Sequence, residues 1–420
     1  MKKLSLLTVI ILSMLLSACT GSGTYTTDSQ VIVDESKTTI TLASYGVDPF
    51  LQSLISSFNN SNNEYSVRII DISQGNTLDG KSALTKFNTE IISGNSPDMI
   101  CLQYINPFAF ITKGLLYNQN ELFTNDTDIN LSDLAILNAL KNNEAIYYVG
   151  SGFTFETLIA RHSQFGSRYG WSLKEYLEIE SSIGKDSNMI YNMTQDAFLR
   201  EISSRYIRTA IDWENGSCNF NTKDFFEILE ASKRIKENPE TSSTALYSPG
   251  AVNVSNGTLV ASLSWVTSVD KLSSDEKLAG CKLSYIGWPT PDGSCGTDAY
   301  LINPIGIFAS SQHIEGCWEF IKFVLKNHNI EYGMPLYMPH LEKKLEEAKT
   351  REEENLRISP NDVDTFLSLI SSIENIAIYD ETVLDIITKE SSSFFSGDKS
   401  AQEVVNLIQS KVSIYISEQK

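Results

Sequence analysis

The chain has 420 residues, which at about 150 residues per domain points to two or three domains. Hydrophobic residues make up 41% and charged residues 20%, so a large apolar core is available and a wholly disordered chain is excluded. Lys and Arg number 33 against 52 Asp and Glu, a net charge of −19; that sign repels phosphate backbones and anionic lipid heads, so nucleic acid is not expected as a partner, and the scattered acids read first as a means of solubility.

The chain opens on Met1-Lys2-Lys3 and an apolar run over 4–16. A spanning helix needs about 20 apolar residues, so the run is short for a permanent span and fits an export signal. It ends in Leu16-Ser17-Ala18-Cys19, which resembles the lipobox of bacterial lipoproteins. That resemblance implies a signal segment over 1–19 with Cys19 as the lipobox cysteine. Its sulfur would carry a diacylglyceryl group, and the new amino end would be acylated. The competing reading is an ordinary signal peptide or signal anchor with a chance cysteine. Several acyl chains anchor stably where one is marginal, so the protein is expected to be exported and held by lipid on the outer face of the bacterial cell membrane. Residues 20–37 are rich in Gly, Ser and Thr without apolar periodicity and read as a flexible tether.

In the body, 38–42 is β-branched and predicts a strand. Phe50, Leu51, Leu54, Ile55 and Phe58 have helical spacing, with Asp48 placed to cap at Pro49. A strand over 65–72, a helix over 82–93 and a strand over 99–102 follow. This alternation is the grammar of a parallel α/β sheet. A strand at 146–149 leads into Gly150-Ser151-Gly152, read as a bend between two bodies. Further on, 157–161 reads as strand, 195–211 and 222–237 as helices, and 259–266 and 283–288 as strands, the last closed by Pro289-Thr290-Pro291-Asp292-Gly293. Residues 300–309 look extended, 316–325 and 340–355 helical, and 361–420 carry three helical patterns. Besides Cys19, the cysteines are Cys101, Cys218, Cys281, Cys295 and Cys317. Cys281 and Cys295 flank an expected hairpin where a disulfide would fit; buried free thiols are the competing reading. No Cys-x-x-Cys pair is present and the 4 His are scattered, so no metal or other cofactor is expected.

This order of elements resembles the extracellular solute-binding proteins of ABC importers, the class that includes bacterial sugar-binding lipoproteins (family 1). Four stretches carry it: 40–45 with the helix after it, 89–100, 286–309 with 317–321 after it, and the tail from Ile386-Ile387 through 394–400 to 404–408. The resemblance implies an α/β, two-lobe periplasmic-binding-protein-like (type II) fold with an interlobe ligand cleft. One lobe would hold 38–150 and 303–335, the other 151–302 and 336–420, with crossings near 150–152, 303–304 and 333–335. It also implies delivery of a small solute to ABC permease subunits.

A sugar offers apolar C–H faces and a rim of hydroxyls, so its site needs flat aromatic surfaces and fixed polar groups. In open α/β sheets such sites lie beyond the carboxyl ends of strands. The candidates there are Tyr45, Gln103, Tyr104, Phe153 and Trp265. Trp265 resembles an aromatic that stacks on sugar in related maltodextrin binders; its other reading is core. Tyr45 and Tyr104 also read as half-buried rim residues, and Phe153 as core. Trp171, Trp288 and Trp318 read as packing residues, Trp213 as an exposed ring or a helix-end staple, and Asp98 as a turn residue. The leading expectation is a binding protein for an oligosaccharide, not an enzyme. The alternatives are a surface glycan-processing enzyme, which needs two carboxylates flanking a bond at about 5–10 Å, and a surface sensor or adhesin on the same fold.

Overall fold

The computed structural model describes residues 33–34, 36–73, 80–103, 105–184, 187–191, 193–235, 249–327, 332–353, 357–377 and 380–419. Cys19 with the rest of the signal segment, most of the tether, and Tyr104 lie outside the described residues. Among the described residues no helix is long and apolar enough to cross a membrane.

In chain order the strands are β1 (Thr38–Ser44), β2 (Tyr65–Asp71), β3 (Met99–Cys101), β4 (Tyr148–Val149), β5 (Gly152–Arg161), β6 (Ile211–Asp212), β7 (Ser217–Cys218), β8 (Ala261–Val266), β9 (Leu283–Tyr285), β10 (Asp298–Ile302), β11 (Ile305–Ile307) and β12 (Met334–Pro335). The first sheet runs β2-β1-β3-β11-β4, the second is gathered around β5 with β8, β9, β10 and β12, and β6 pairs with β7 in a two-stranded sheet. β1 is parallel to both β2 and β3. Parallel neighbours need crossover connections, which the helices Pro49–Ser61 and Gly80–Ile92 supply. Asp48 caps the first of these, its carboxylate accepting from the Leu51 amide at 2.9 Å ahead of Pro49, a contribution of about 1 kcal/mol. Phe58 on its inner face meets Phe320 and Phe323 of the helix Ile314–Lys326 edge-on, with centroids 5.1 and 5.5 Å apart.

Two stretches depart from the sequence expectation. The extended segment 300–309 breaks at Asn303, which takes a left-handed φ of 47°. The part before it, β10, joins the second sheet and the part after it, β11, joins the first. The expected hairpin near 283–302 does not form. β9 and β10 both pair antiparallel with β5, at 159–161 and 152–156. They are two pieces of one edge, and 286–297 is an excursion between them, pinned where the Trp288 amide donates to the Gly296 carbonyl at 3.2 Å. Cys281 and Cys295 therefore do not face each other across a ladder, and both are free. Nor are they buried: Cys281 is exposed, and Cys295 and Cys218 are half-buried. Cys101 and Cys317 are the buried thiols, pushed up by that burial to pKa values of about 11 and about 12.

The chain passes between the sheets at β4–β5, at β10–β11 and on entering β12, and these three passages pack side by side. The Ser151 amide donates to the Ile302 carbonyl at 3.0 Å. A Cβ at Gly150 would stand 2.6 Å from that same oxygen. Gly333 has φ +89°, and a Cβ there would meet Ile302 Cδ1 at 2.4 Å. The glycines serve close approach and, at Gly333, a left-handed backbone.

The central strand β5 is buried on both faces. Phe153, Phe155 and Ile159 join the core that continues into the first sheet. Leu158 and Ala160 face a second core under the helices Gln195–Ala210, Lys223–Arg234, Glu381–Phe395 and Ala401–Gln419.

A candidate ligand cleft between the sheets

The carboxyl ends of β1 and β3 deliver Tyr45 and Gln103 to the space between the sheets. The second sheet answers with Thr154 on β5, Trp265 on β8 and Tyr300 on β10, and Tyr332 stands just before β12. These residues, with Asp48, Phe50 and Asn303, line a cleft of about 720 Å³, within the ~300–1,000 Å³ usual for small-molecule sites. Strand register explains the wall. Thr154 is paired with Tyr300, and Glu156 with both Asp298 and Trp265. Residues paired across a ladder share a face, and alternate residues along a strand do too. Thr154, Glu156, Trp265, Asp298 and Tyr300 therefore form one surface.

Trp265 and Tyr300 lean together with centroids 4.7 Å apart and planes inclined by 34°. Trp265 is 36% exposed, whereas Trp171 and Trp288 are 1% and 2% exposed, so of these three it alone offers a ring face to a guest. Across the gap, the Gln103 Oε1 accepts from the Asn303 amide at 3.1 Å. This fixes the amide against the β10–β11 passage and leaves its Nε2 without a partner among the described residues. The loop carrying Tyr45 is braced by Ser44, whose hydroxyl donates to the Gly46 carbonyl at 2.5 Å, and by Asp71, which accepts from the Gly46 amide at 3.2 Å.

The structure thus brings together Tyr45, Gln103 and Trp265. Phe153 is elsewhere: it is 0% exposed, and its neighbour Thr154, one position on and so on the opposite face, lines the cleft. Tyr104 lies outside the described residues. Thr154, Tyr300, Asn303 and Tyr332 were not anticipated. The alternation Phe153-Thr154-Phe155-Glu156 carries the signal that separates core from cleft, and Asn303-Pro304 carries the signal for the chain break beside Tyr300.

Other singled-out residues have structural partners. Asp98 accepts from the Thr41 amide (2.8 Å) and hydroxyl (2.7 Å), the Ser311 hydroxyl (2.7 Å) and His313 Nδ1 (3.0 Å). Burial opposes its charge, but these hydrogen bonds prevail and hold its carboxyl below the ordinary value. Trp171 donates to the Gly287 carbonyl at 2.9 Å, and Trp318 to Asp126 at 2.8 Å. Trp213, in the β6–β7 turn, lies flat on Phe108, with centroids 6.0 Å apart and planes 7° apart. Next to it Glu214 accepts from Asn143 at 3.5 Å.

Beside the aromatic platform, on the same face of the sheet, sits an ion cluster. Arg205 reaches Glu201 at 3.2 Å, Asp298 at 3.4 Å and Glu156 at 3.5 Å, while Arg208 meets Asp298 at 2.6 Å. Trp288 Nε1 donates to Glu156 at 2.7 Å, and the Arg205 guanidinium lies 5.4 Å from the Trp288 ring centroid. Burial pushes the Glu156 carboxyl above its ordinary range, with Arg205 pulling it back. The cluster fixes Glu156, the ladder partner of Trp265. Among the described residues no group of three or more His, Cys, Asp or Glu is placed to hold a metal ion.

No protein-family model matches the chain, and no curated protein matches it in sequence. Solved structures do match in shape. The sugar-binding protein MalE of Xanthomonas citri superposes with a TM-score of 0.59 at 15% identity, over 91% of this chain and 98% of that one. An extracellular solute-binding protein of family 1 from Alicyclobacillus acidocaldarius gives 0.55 at 14% identity, over 91% and 100%. A cyclic α-maltosyl-1,6-maltose binding protein from Arthrobacter globiformis gives 0.52 at 12% identity, over 91% and 100%. The chain has the α/β, two-lobe fold of these binding proteins, with its cleft between the lobes.

Proposed function

We propose that this protein captures an oligosaccharide outside the cell and delivers it to ABC permease subunits by closing its two lobes, without cleaving it. The lobes in this reading are 38–150 with 303–335, and 151–302 with 336–420. The observation that carries it is the cleft itself: the Trp265–Tyr300 platform on one side faces Tyr45 and the free amide of Gln103 on the other. Such a pair of walls offers a ring face to sugar C–H groups and hydrogen-bonding groups to the hydroxyl rim. Contacts made on both lobes at once stabilise the closed state and so couple capture to shape. The matched proteins from Xanthomonas citri and Arthrobacter globiformis are named for sugars they bind, which supports the same ligand class here.

Carriage is favoured over cleavage by the lining. Asp48 is the one carboxylate among the described lining residues, and it is committed to the Leu51 amide. A glycosidase needs two carboxylates about 5–10 Å apart. Lipid attached at Cys19 would hold the protein at the outer face of the bacterial cell membrane, with 20–37 as tether, where a permease can be reached.

The test is thermal unfolding against a panel of oligosaccharides. Specific binding stabilises the folded state by about 2.7 kcal/mol at a hundredfold excess over Kd, which raises Tm measurably. Flat melting curves across the panel would overturn the sugar assignment, and disappearance of the sugar on chromatography would overturn carriage in favour of an enzyme.

A further inference from the structure

A second chamber adjoins the cleft. It has a volume of about 310 Å³ and shares Gln103, Tyr300 and Leu301 with the cleft. Its remaining walls are mainly apolar, supplied by Leu102, Ile105 and Pro107 from one side and Ile376 and Ala377 from the other. The 376–377 segment is held in place against β10, where the Ala377 amide donates to the Ala299 carbonyl at 2.7 Å. The carboxylate on the lining, Glu381, is an exposed side chain paired with Arg200. The volume is about twice the ~150 Å³ of an apolar cavity that takes up benzene.

One wall residue does not fit a plain apolar void. Tyr148 lines the chamber and is 8% exposed, yet its hydroxyl has no hydrogen-bond partner among the described residues. The hydroxyl oxygen is not sealed from solvent, so it is open to donate to a guest oxygen in the chamber. Burial raises its pKa, against the pull of Arg208, so it stays protonated and can donate.

We propose that the chamber receives an apolar, ring-sized substituent on the saccharide bound in the main cleft, so that the preferred ligand is a glycoside with an aromatic or similarly apolar aglycone whose oxygen accepts from Tyr148. This rests on the sugar reading of the main cleft and narrows it. A bare oligosaccharide has hydroxyls around its whole rim and would have to strip them of water against Leu102, Ile105 and Ile376 without replacement. An apolar aglycone has no such cost, and it gains from leaving water.

The experiment titrates the full chain, by calorimetry, with free maltotriose, cellobiose and xylobiose and with the 4-nitrophenyl glycoside of each. For the sugar that binds, the 4-nitrophenyl glycoside is expected to bind about tenfold tighter, the equivalent of ~1.4 kcal/mol. Ala377→Trp, which fills the chamber, should bring the Kd of the glycoside back to that of the free sugar, and Tyr148→Phe should remove part of the gain. Equal affinity of a binding sugar and its glycoside in the wild-type protein overturns the chamber proposal and leaves the sugar reading standing. Silence of every sugar and every glycoside overturns both.

Discussion

The contact between Phe108 and Trp213 gives a sharp test of lobe closure, because neither ring lines the cleft. Phe108 begins the short helix that follows the Gln103 loop at the carboxyl end of β3. Trp213 follows the helix Gln195–Ala210, whose Arg208 reaches Asp298 on the face of β10 that also carries Tyr300. Both rings therefore stand on the cleft side of the interlobe passages, where opening must pull them apart. A stacked aromatic pair contributes about 0.5–1.5 kcal/mol beyond its area burial. With the modest area hidden between two half-exposed rings, the closed state should lose about 1–2 kcal/mol in Trp213→Ala, which is a factor of about 5–30 in an equilibrium. Binding that ends in the closed state must lose the same factor, so Kd should rise about 5–30-fold by calorimetry with whichever sugar raises Tm. Trp213 also packs on its own core, so the single mutant is not decisive alone. Phe108→Ala should give a comparable rise, and the double mutant should fall short of the sum by about 0.5–1.5 kcal/mol, since the two rings share one contact. Single mutants within twofold of wild type, or strictly additive losses, would refute the account of closure.

Trp265→Ala should weaken sugar binding at least about tenfold, the loss of a large aromatic contact of ~1.4 kcal/mol or more, with a Tm in the absence of sugar close to wild type, because the ring is 36% exposed; an unchanged Kd would remove the platform from the site. Arg205→Ala leaves Glu156, 6% exposed, without its cation and Asp298, 1% exposed, with Arg208 alone, and should cost about 3–5 kcal/mol in urea unfolding; a cost below about 1 kcal/mol would mean the cluster is solvated. Asp126 is held down to about 2 from an ordinary 3.8: burial opposes the charge, but hydrogen bonds from Trp318, the Asp128 amide and Lys322 outweigh it. A depressed carboxylate stabilises above its unfolded value, and that stability is lost as pH falls toward the folded one. The Tm gap between wild type and Asp126→Asn should therefore shrink between about pH 4 and pH 2, and a gap that is constant over this window would refute the assignment. Cys19→Ala should abolish palmitate labelling and release the protein from membranes; retained label would rule out Cys19 as the attachment point.

Much of the framework was legible because local chemistry and tertiary need agree. Asp48-Pro49 caps a helix whose inner face is already spelled by Leu51, Leu54, Ile55 and Phe58. What the sequence hides is partnership at long range. Pairing of 298–302 and 283–285 with the same strand depends on β5, more than a hundred residues earlier, and nothing local distinguishes that from a hairpin. Tyr332 reaches the cleft only because the third passage brings the chain back beside β5. Phe153 shows the opposite case, where the signal was present. A strand buried on both faces looks uniformly apolar, but the polar members of 153–156 all fall on one side, and that side is the cleft wall.

That last observation ties architecture to function. β5 runs from the interlobe passage at Gly152 into the second core at Ala160. Its polar face begins with Thr154, which lines the cleft, and continues with Glu156, which anchors the ion cluster. Trp265 is paired with Glu156 and leans on Tyr300, itself paired with Thr154. The aromatic platform is thus seated on a strand whose other face is locked by Phe153 and Phe155 into the core shared with the first sheet. Such a platform cannot shift relative to the passages without unpacking that core, so the proposed lobe closure would have to occur by movement of the passages themselves. There Gly150, Ser151, Ile302 and Gly333 pack together; a side chain at Gly150 would collide with the Ile302 carbonyl, and one at Gly333 would be strained by its left-handed φ. The axis of the proposed motion is therefore closely packed, and in that motion the ligand-binding rings would move as rigid parts of the lobes that carry them.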